Sequence, residues 1–343
     1  MTLATRIVPV TLQLVSPIVT GHGAIGHRRG LLLALTDGEL TGWGEAAPLP
    51  GWSNDTLDVT DTALRSATSD VRDDRDVPTA LASLRDRPHA RAALSGAWAD
   101  LRSRRDGLPL APSLSPDWLT EVPVNALIDA ASVDAVDGKA RAVVAAGFTT
   151  VKMKVGAGDP ATDVERVRAV RRAAPDVVLR LDANRAWDRE TAVEVLRRVA
   201  EHDIAWCEEP TPLVDEFGSI ESATGVPIAA DESIVGQTDL RLALDLDVSV
   251  VVIKPQAIGG PDRAAVFTEL VDGAGATVVV TSFMDSVVGV AHALHVAAAF
   301  GSPVAHGLAT GSMLAEDVGP PLNVDAGRMR LPTAPGIGID PTV

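Results

Sequence analysis

The chain has 343 residues, of which 46% are hydrophobic and 22% are charged. This balance is typical of a globular protein with a sizeable core and, at this length, two domains, and it excludes an intrinsically disordered chain. The formal net charge of −16 argues against nucleic acid and anionic membranes as partners, because an acidic surface repels both.

The cellular compartment is predicted from two features. No uninterrupted apolar run reaches transmembrane length, and Met1–Val15 lacks a basic region followed by an apolar stretch. The single cysteine, Cys207, cannot form an internal disulfide, which is typical of a reducing environment. We therefore expect a cytoplasmic protein in which Cys207 packs in the core.

The first predicted elements form an α+β unit over residues 1–115. Strand-like segments cover Ile7–Val15 and Gly30–Thr36, and a helical stretch runs from Thr56 to Arg105. The segment Leu108–Pro116 is rich in proline and serine, so it is predicted to be a linker into a second unit.

From residue 116 to residue 315 the pattern alternates between strands and helices. Eight strand candidates follow one another at the spacing that a strand, a helix and two loops require: Val122–Leu127, Thr149–Val155, Val177–Asp182, Ala205–Glu208, Pro227–Asp231, Val248–Lys254, Thr277–Thr281 and Pro303–His306. Asp159 before Pro160, and Asp188 further on, are predicted helix N-caps. Eight such units predict a closed parallel barrel, with residues 316–343 folding back toward the first domain.

Ionisable residues stand at the carboxyl ends of five successive predicted strands. They are Lys152 and Lys154, Asp182, Glu208, Asp231 and Lys254. Barrel enzymes build their active sites at this end, and residues i and i+2 of a strand share a side. One such residue is readily explained as a solvated strand end, but six in succession predict an active site.

Lysine is unusually rare in this chain. Of the 30 basic residues only four are lysine, and three of these four are the strand-end lysines above. Arginine does not lose its proton in proteins, whereas lysine can. A lysine that is retained in a chain with so strong a preference for arginine is therefore a candidate acid or base. Lys139, in a helical stretch, is instead expected to lie on the surface.

The three carboxylates predict a metal site. Asp182, Glu208 and Asp231 would repel one another without a cation, and all-oxygen ligation favours Mg²⁺ over zinc. A substrate carboxylate can complete the ligand shell, and the charge that develops on its oxygens when the α-proton is removed is then stabilised. A neighbouring ammonium, such as Lys152 beside Lys154, lowers the pKa of a lysine base.

The same strand ends carry a set of short motifs: Val151-Lys152-Met153-Lys154, Leu181-Asp182-Ala183-Asn184, Cys207-Glu208-Glu209-Pro210, Ala230-Asp231-Glu232-Ser233 and Ile253-Lys254-Pro255. Together they resemble the muconate-lactonizing branch of the enolase superfamily, and the resemblance covers nearly the whole chain. Within that branch, Gly42–Ser53 and Arg180–Trp187 resemble the o-succinylbenzoate synthase family of menaquinone biosynthesis.

The resemblance implies a fold and a reaction. The fold is α/β, a (β/α)7β-type TIM-like barrel with an N-terminal α+β capping domain. The reaction is a syn dehydration of the small carboxylate 2-succinyl-6-hydroxy-2,4-cyclohexadiene-1-carboxylate to o-succinylbenzoate, with Mg²⁺ as cofactor and Mn²⁺ as a substitute. Lys154 would remove the α-proton and return it to the departing hydroxyl, Lys254 would stabilise the enediolate, and Lys152 would tune Lys154.

The secondary site assignments are less specific. Arg180, Ser282, Ser286, Gly259 and Gly260 are candidate substrate-binding residues. Asn184, Glu209 and Glu232 are candidate partners of the metal ligands, although satisfied polar residues at the barrel rim explain them equally well. Asp285 lies in the loop implied to bind the succinyl chain, so its carboxylate is expected to point away from the substrate.

Two further patterns are weaker. Gly21-His22-Gly23-Ala24-Ile25-Gly26 fits G-x-G-x-x-G, but a strand-like run follows it, which argues against a dinucleotide site. The family resemblance implies that this segment is a mobile capping loop over the active site. Arg28 and Arg29 beside it either reach a substrate carboxylate or, as we favour, belong to a solvated loop. His292 and His295 have helical spacing, and without a third ligand they are predicted to pack in the core.

Alternative functions remain open from the sequence. An N-succinylamino acid racemase, a dipeptide epimerase or a cycloisomerase would use the same metal and the same lysines. A non-catalytic metal-binding scaffold belongs to a different class, and the retained lysines argue against it. Exchange of a substrate α-proton with solvent separates an enzyme from a scaffold.

Overall fold

The computed structural model shows an antiparallel N-terminal sheet with its helices, followed by a curved parallel sheet. It describes residues 2–20, 23–129, 132–300 and 303–343. Within these ranges no helix combines the length and the hydropathy that a membrane crossing requires.

The N-terminal sheet has three antiparallel strands in the order β1-β2-β3: β1 (Ala4–Thr20), β2 (Gly23–Thr36) and β3 (Thr41–Ala46). Its helices are α1 (Leu57–Thr68), α2 (Asp76–Ser83) and α3 (Pro88–Arg105). The apolar run in β2 is buried on both faces, because Leu31, Leu33 and Leu35 join one core cluster and Leu32 and Ala34 join another. The predicted α+β character of this unit is confirmed. The predicted linker contains a short helix, α4 (Leu110–Leu114).

The second sheet contains seven parallel strands that neighbour one another in sequence order. They are β5 (Ala126–Ile128), β6 (Thr150–Lys154), β7 (Val178–Asp182), β8 (Ile204–Glu208), β9 (Ile228–Ala230), β10 (Val250–Ile253) and β11 (Thr277–Val280). The helices between and after them are α5 (Val133–Ala145), α6 (Pro160–Ala173), α7 (Arg189–Val199), α8 (Phe217–Thr224), α9 (Gln237–Asp245), α10 (Pro255–Ile258), α11 (Pro261–Gly273) and α12 (Val287–Phe300). The predicted N-caps are confirmed, since the side chains of Asp159 and Asp188 accept hydrogen bonds from Thr162 N and Thr191 N.

Both ends of the predicted strand series differ from the expectation. The first predicted strand is divided: β4 (Glu121–Pro123) pairs with a C-terminal strand, and β5 begins the parallel sheet. The eighth is reduced to two bridging residues, His306 opposite Val124 and Gly307 opposite Thr281, which connect the two edges of the sheet. The carbonyl of Ala305, beside these residues, accepts a hydrogen bond from Arg180 inside the barrel.

The C-terminal segment contacts both parts of the chain. A hairpin of β12 (Val324–Asp325) and β13 (Arg328–Arg330) pairs with β4. Further on, Ile337 N donates to Asp100 of α3, and Arg104 pairs with Asp340. The domain limits at residues 115 and 315 stay predictions.

Candidate active site

Three carboxylates meet at the carboxyl ends of neighbouring strands. Asp182 and Glu208 end β7 and β8, and Asp231 directly follows β9. One oxygen from each lies within 4.8 Å of the other two, and all three side chains are buried. Asp182 and Glu208 are register partners, so both point to the same side of the sheet. Within the part of the chain that the structure describes, this is the only such group of potential metal ligands.

Three lysines contact these carboxylates. Lys152 Nζ lies 2.7 Å from Asp182 Oδ2 and also contacts Glu208. Lys154 Nζ lies 2.6 Å from the same oxygen of Asp182, and Lys254, directly after β10, contacts Asp231. The structure therefore brings together all six residues that the strand ends singled out, whereas their catalytic and metal-binding roles stay predictions.

The lysines differ in accessibility. The side chain of Lys154 is 36% exposed, against 14% for Lys152 and 15% for Lys254. Lys154 is thus the lysine that a molecule entering the barrel mouth reaches most readily.

Their electrostatic environments differ as well. Burial lowers the pKa of Lys152, but attraction by Asp182 and Glu208 outweighs burial and holds this pKa well above its usual range. Burial raises the pKa of Asp182, yet Lys152 and Lys154 together hold it well below its usual range. Burial and repulsion by Lys152 lower the pKa of Lys254 to about 7. The carboxylates therefore favour the protonated form of Lys152, whereas burial and repulsion by Lys152 make the charged form of Lys254 less favourable than that of a free lysine.

A second set of polar residues supports the first. Asn184 Oδ1 accepts a hydrogen bond of 2.6 Å from Lys154 Nζ, and its amide nitrogen donates to Glu232. Glu209 is buried and accepts hydrogen bonds from Asp231 N at 2.9 Å and from Ser233 N at 2.8 Å. These contacts join Asn184, Glu209 and Glu232 to the six central residues and are compatible with the predicted supporting role.

Arg180 lies deeper in the barrel than its sequence position suggested. Its guanidinium stacks on the ring of Trp206 at 4.0 Å and donates to Ala305 O at 2.6 Å. The side chain is fully buried, and burial lowers its pKa to about 10. These contacts give Arg180 a packing role beneath the carboxylates, and its contact with a substrate stays a prediction.

The loop after β11, residues Ser282–Ser286, is held from two sides. The Ser282 hydroxyl lies 2.7 Å from that of Thr310, whereas the Ser286 hydroxyl donates to Glu45 at 2.6 Å. Asp285 is buried and accepts from Phe283 N at 2.9 Å, within its own loop. Substrate contacts of Ser282 and Ser286 stay predictions.

Gly259 and Gly260 lie where helix α3 approaches the barrel. Arg91 of α3 donates to Gly259 O at 2.6 Å, and a Cβ atom on Gly260 would lie 2.5 Å from Ser95 Oγ. Both glycines have positive φ, 104° and 112°. Close packing therefore explains these glycines, and their predicted contact with a substrate is untested.

The predicted solvated loop near Arg28 is wrong for that residue. Arg28 lies on β2, is buried, and donates to four backbone carbonyls, while Arg29 is exposed. The first two residues of the G-x-G-x-x-G segment, Gly21 and His22, lie outside the described residues, and the rest of it begins β2.

The histidines and Cys207 behave as packing residues. His292 Nε2 donates to Trp43 O at 2.8 Å, and His295 Nδ1 accepts from Ala111 N at 3.2 Å. Cys207 is buried and free. The predictions of core packing are confirmed for all three. Lys139, the remaining lysine, is exposed and pairs with Asp129.

Two contributors to this region were missed in the sequence. Trp206 stands two residues before Glu208 on β8, so strand periodicity already placed it inside the barrel below that carboxylate. Glu45 lies within Gly42–Ser53, a segment singled out only for its resemblance. No local pattern indicated that its carboxylate contacts a loop 241 residues further on.

Models of two protein families match the chain. "Enolase C-terminal domain-like" matches residues 135–342, and "MenC, N-terminal domain" matches residues 5–88. The o-succinylbenzoate synthase of Yersinia pseudotuberculosis serotype I (strain IP32953) is 31% identical over 288 residues, which are 82% of each chain. That of Thermobifida fusca (strain YX) is 41% identical over 202 residues, 57% of this chain and 62% of the relative.

A solved structure shows the same architecture over nearly the full length. The dipeptide epimerase from Methylococcus capsulatus, complexed with Mg and the dipeptide L-Arg-D-Lys, has a TM-score of 0.89 and 29% identity, and the match covers 99% of both chains. The predicted α/β barrel with an N-terminal α+β domain is thereby confirmed. The chain belongs to the enolase superfamily and, within it, to the o-succinylbenzoate synthase family.

Proposed function

We propose that this chain is an o-succinylbenzoate synthase that dehydrates 2-succinyl-6-hydroxy-2,4-cyclohexadiene-1-carboxylate in a Mg²⁺-dependent reaction. The observation that supports it most strongly is the set of three buried carboxylates in contact with Lys152, Lys154 and Lys254. Such a site is suited to proton abstraction in general, and the family relationship favours dehydration among the possible reactions.

The donor set fits Mg²⁺. Asp182, Glu208 and Asp231 offer oxygen ligands only, which a hard cation prefers, and they are close enough to share one ion. Asn184 and Glu209 hold the strand ends in place around them. When bound, Mg²⁺ supplies positive charge that stabilises the negative charge developing on a substrate carboxylate.

Lys154 is the proposed base. It is the most exposed of the three lysines, and its Nζ is held by Asp182 and Asn184, each at 2.6 Å. A base must reach the α-proton of a substrate in the barrel mouth, so accessibility and a fixed position both favour Lys154. In its protonated form the same ammonium returns the proton to the departing hydroxyl, which leaves as water.

Lys254 and Lys152 are proposed to act as cations, and contact with Asp231 favours the charged form of Lys254 against the effect of burial. Lys254 lies at the end of β10, on the other side of the carboxylate group from β6, and would face the enediolate. Lys152 is held by Asp182 and Glu208, which favour its protonated form, so it would attract the substrate carboxylate. Loss of water makes the ring aromatic, so the enzyme has mainly to stabilise the enediolate.

A second candidate function is racemisation or epimerisation of an N-succinylamino acid or a dipeptide. The pKa of Lys254, about 7, favours it, because a racemase needs a second lysine that exchanges its proton. The Methylococcus capsulatus relative is named a dipeptide epimerase. The two functions use the same residues and are separated by their kinetics.

An assay of both reactions separates them. The purified chain is given the cyclohexadiene and, in parallel, N-succinyl amino acids in D₂O, and kcat/KM is compared because it measures transition-state discrimination. Efficient dehydration, with racemisation weaker by about two powers of ten or more, supports the synthase. Rapid deuterium exchange and racemisation with negligible dehydration overturn it. A scaffold would show neither reaction.

A further inference from the structure

Arg28 fastens the loop after β11 to the N-terminal sheet. Its guanidinium donates to Ala47 O at 2.7 Å and Pro48 O at 3.1 Å, which follow β3. It also donates to Phe283 O at 3.2 Å and Met284 O at 3.0 Å, in the loop itself. The residue is only 3% exposed. A planar guanidinium with five donors can join four carbonyls in this way, whereas the compact ammonium of lysine cannot.

Glu45 fastens the other end of the same loop. Its carboxylate accepts hydrogen bonds from Ser286 N at 3.0 Å, Ser286 Oγ at 2.6 Å and Gly289 N at 2.9 Å, at the start of α12. The carbonyl of Glu45 also accepts from Gln256 Nε2 at 2.8 Å, two residues after Lys254. One residue of β3 therefore contacts the segments that follow both β10 and β11.

The surroundings leave the loop little freedom to move alone. Met284 has a φ of 54°, and Phe283 stacks on His89 of α3 with ring centroids 5.8 Å apart. Asp285 packs against Gly289, where an added Cβ would lie 2.5 Å from the Asp285 Cβ. Because the loop conformation depends on partners in another part of the chain, loss of one partner is expected to release it.

We propose that Arg28 and Glu45 are positioning residues that set the Ser282–Ser286 loop from the N-terminal domain and thereby determine how tightly the substrate is bound. Neither side chain is required to touch the substrate or the reacting atoms. The inference rests on the proposed function for its kinetic consequence, but the contact itself is tested independently of activity.

The kinetic test uses Arg28→Lys and Glu45→Gln, with Arg65→Lys and Glu39→Gln as exposed control substitutions in the same domain. We expect KM for the cyclohexadiene to rise about 10-fold or more in the test variants, with kcat within about threefold, because positioning is lost but the lysines and carboxylates remain. The control variants should keep both constants. Unchanged KM in both test variants overturns the proposal.

Hydrogen exchange supplies the second readout, on the full-length protein without substrate. We expect amide exchange in the peptide covering residues 282–289 to accelerate about 10-fold or more in the test variants, while peptides covering Asp182 and Glu208 stay at the wild-type rate. Wild-type exchange in the loop, or a uniform acceleration across the protein, overturns the proposal. If the wild type fails to turn over the cyclohexadiene, the proposed function fails and the exchange result alone decides the inference.

Discussion

Lys154 and Asp182 are register partners on β6 and β7, and Lys154 Nζ lies 2.6 Å from Asp182 Oδ2. The pairing places a candidate base directly beside a candidate metal ligand. A substitution at either position is therefore expected to disturb the other side chain, because each is a hydrogen-bond partner of the other.

Turnover is expected to require a divalent cation. Three buried carboxylates concentrate negative charge where a hard ion binds well. Rigorous chelation should abolish activity, and Mg²⁺ or Mn²⁺ should restore it, as measured by the rate of o-succinylbenzoate formation. Full activity after chelation contradicts the metal assignment.

The ligand set predicts the effect of removing single charges. Asp182→Asn, Glu208→Gln and Asp231→Asn should each weaken Mg²⁺ binding in calorimetry, because each removes one anionic ligand. Asp215→Asn is the matched control, since Asp215 is exposed in the segment after β8. Affinities equal to wild type in all three site variants would show that the ion binds elsewhere.

The lysines are expected to respond differently to arginine. Lys154→Arg keeps the charge but removes the base, so kcat should fall roughly 10³-fold or more while the fold survives. Lys254→Arg should lower kcat less, because the proposed role of Lys254 requires only a positive charge. Lys139→Arg is the control on the surface. Equal and mild losses at positions 154 and 254 would show that the base is misassigned.

Gly260→Ala should destabilise the protein more than Gly225→Ala. Both glycines have positive φ, but only at Gly260 would the new Cβ meet a neighbour, Ser95 Oγ at 2.5 Å. Overpacking of this kind costs about 1 to 3 kcal/mol. Chemical denaturation measures the free energy of unfolding of each variant. Equal losses would mean that α3 does not pack closely on this turn.

The stability of the fold should depend on pH through His292. Burial lowers the pKa of His292 to about 4, from an ordinary value near 6.5. The unfolded chain therefore binds more protons below pH 6.5, so the stability that neutral His292 contributes is present above that pH and is lost as the pH falls toward 4.

His292→Gln isolates this contribution, because glutamine does not titrate. The stability advantage of wild type over this variant should shrink by about 2 kcal/mol between pH 7.5 and pH 5, measured by denaturation with chelator present. The same substitution at His27, which is exposed, should show no such trend. A constant difference at position 292 would contradict the buried, neutral state.

The sequence by itself determined the strand–helix alternation and the six central residues. Strands of a parallel barrel all present their carboxyl ends on one face, and side chains two residues apart share a side. Ionisable residues at successive strand ends must therefore converge wherever the strands pair in order. The positions of Lys152, Lys154, Asp182, Glu208, Asp231 and Lys254 followed from this periodicity without any knowledge of their partners.

The tertiary structure alone decided the contacts between distant segments. Three contacts depend on where a remote backbone or ring lies. His306 and Gly307 close the sheet, and Arg180 stacks on Trp206. Arg28 and Glu45 form hydrogen bonds with the loop after β11. Local periodicity reports which side of an element a residue occupies, but not which carbonyl or amide packs against it. Arg28 could therefore be read from the sequence as a solvated residue, although its side chain is buried and donates to four backbone carbonyls.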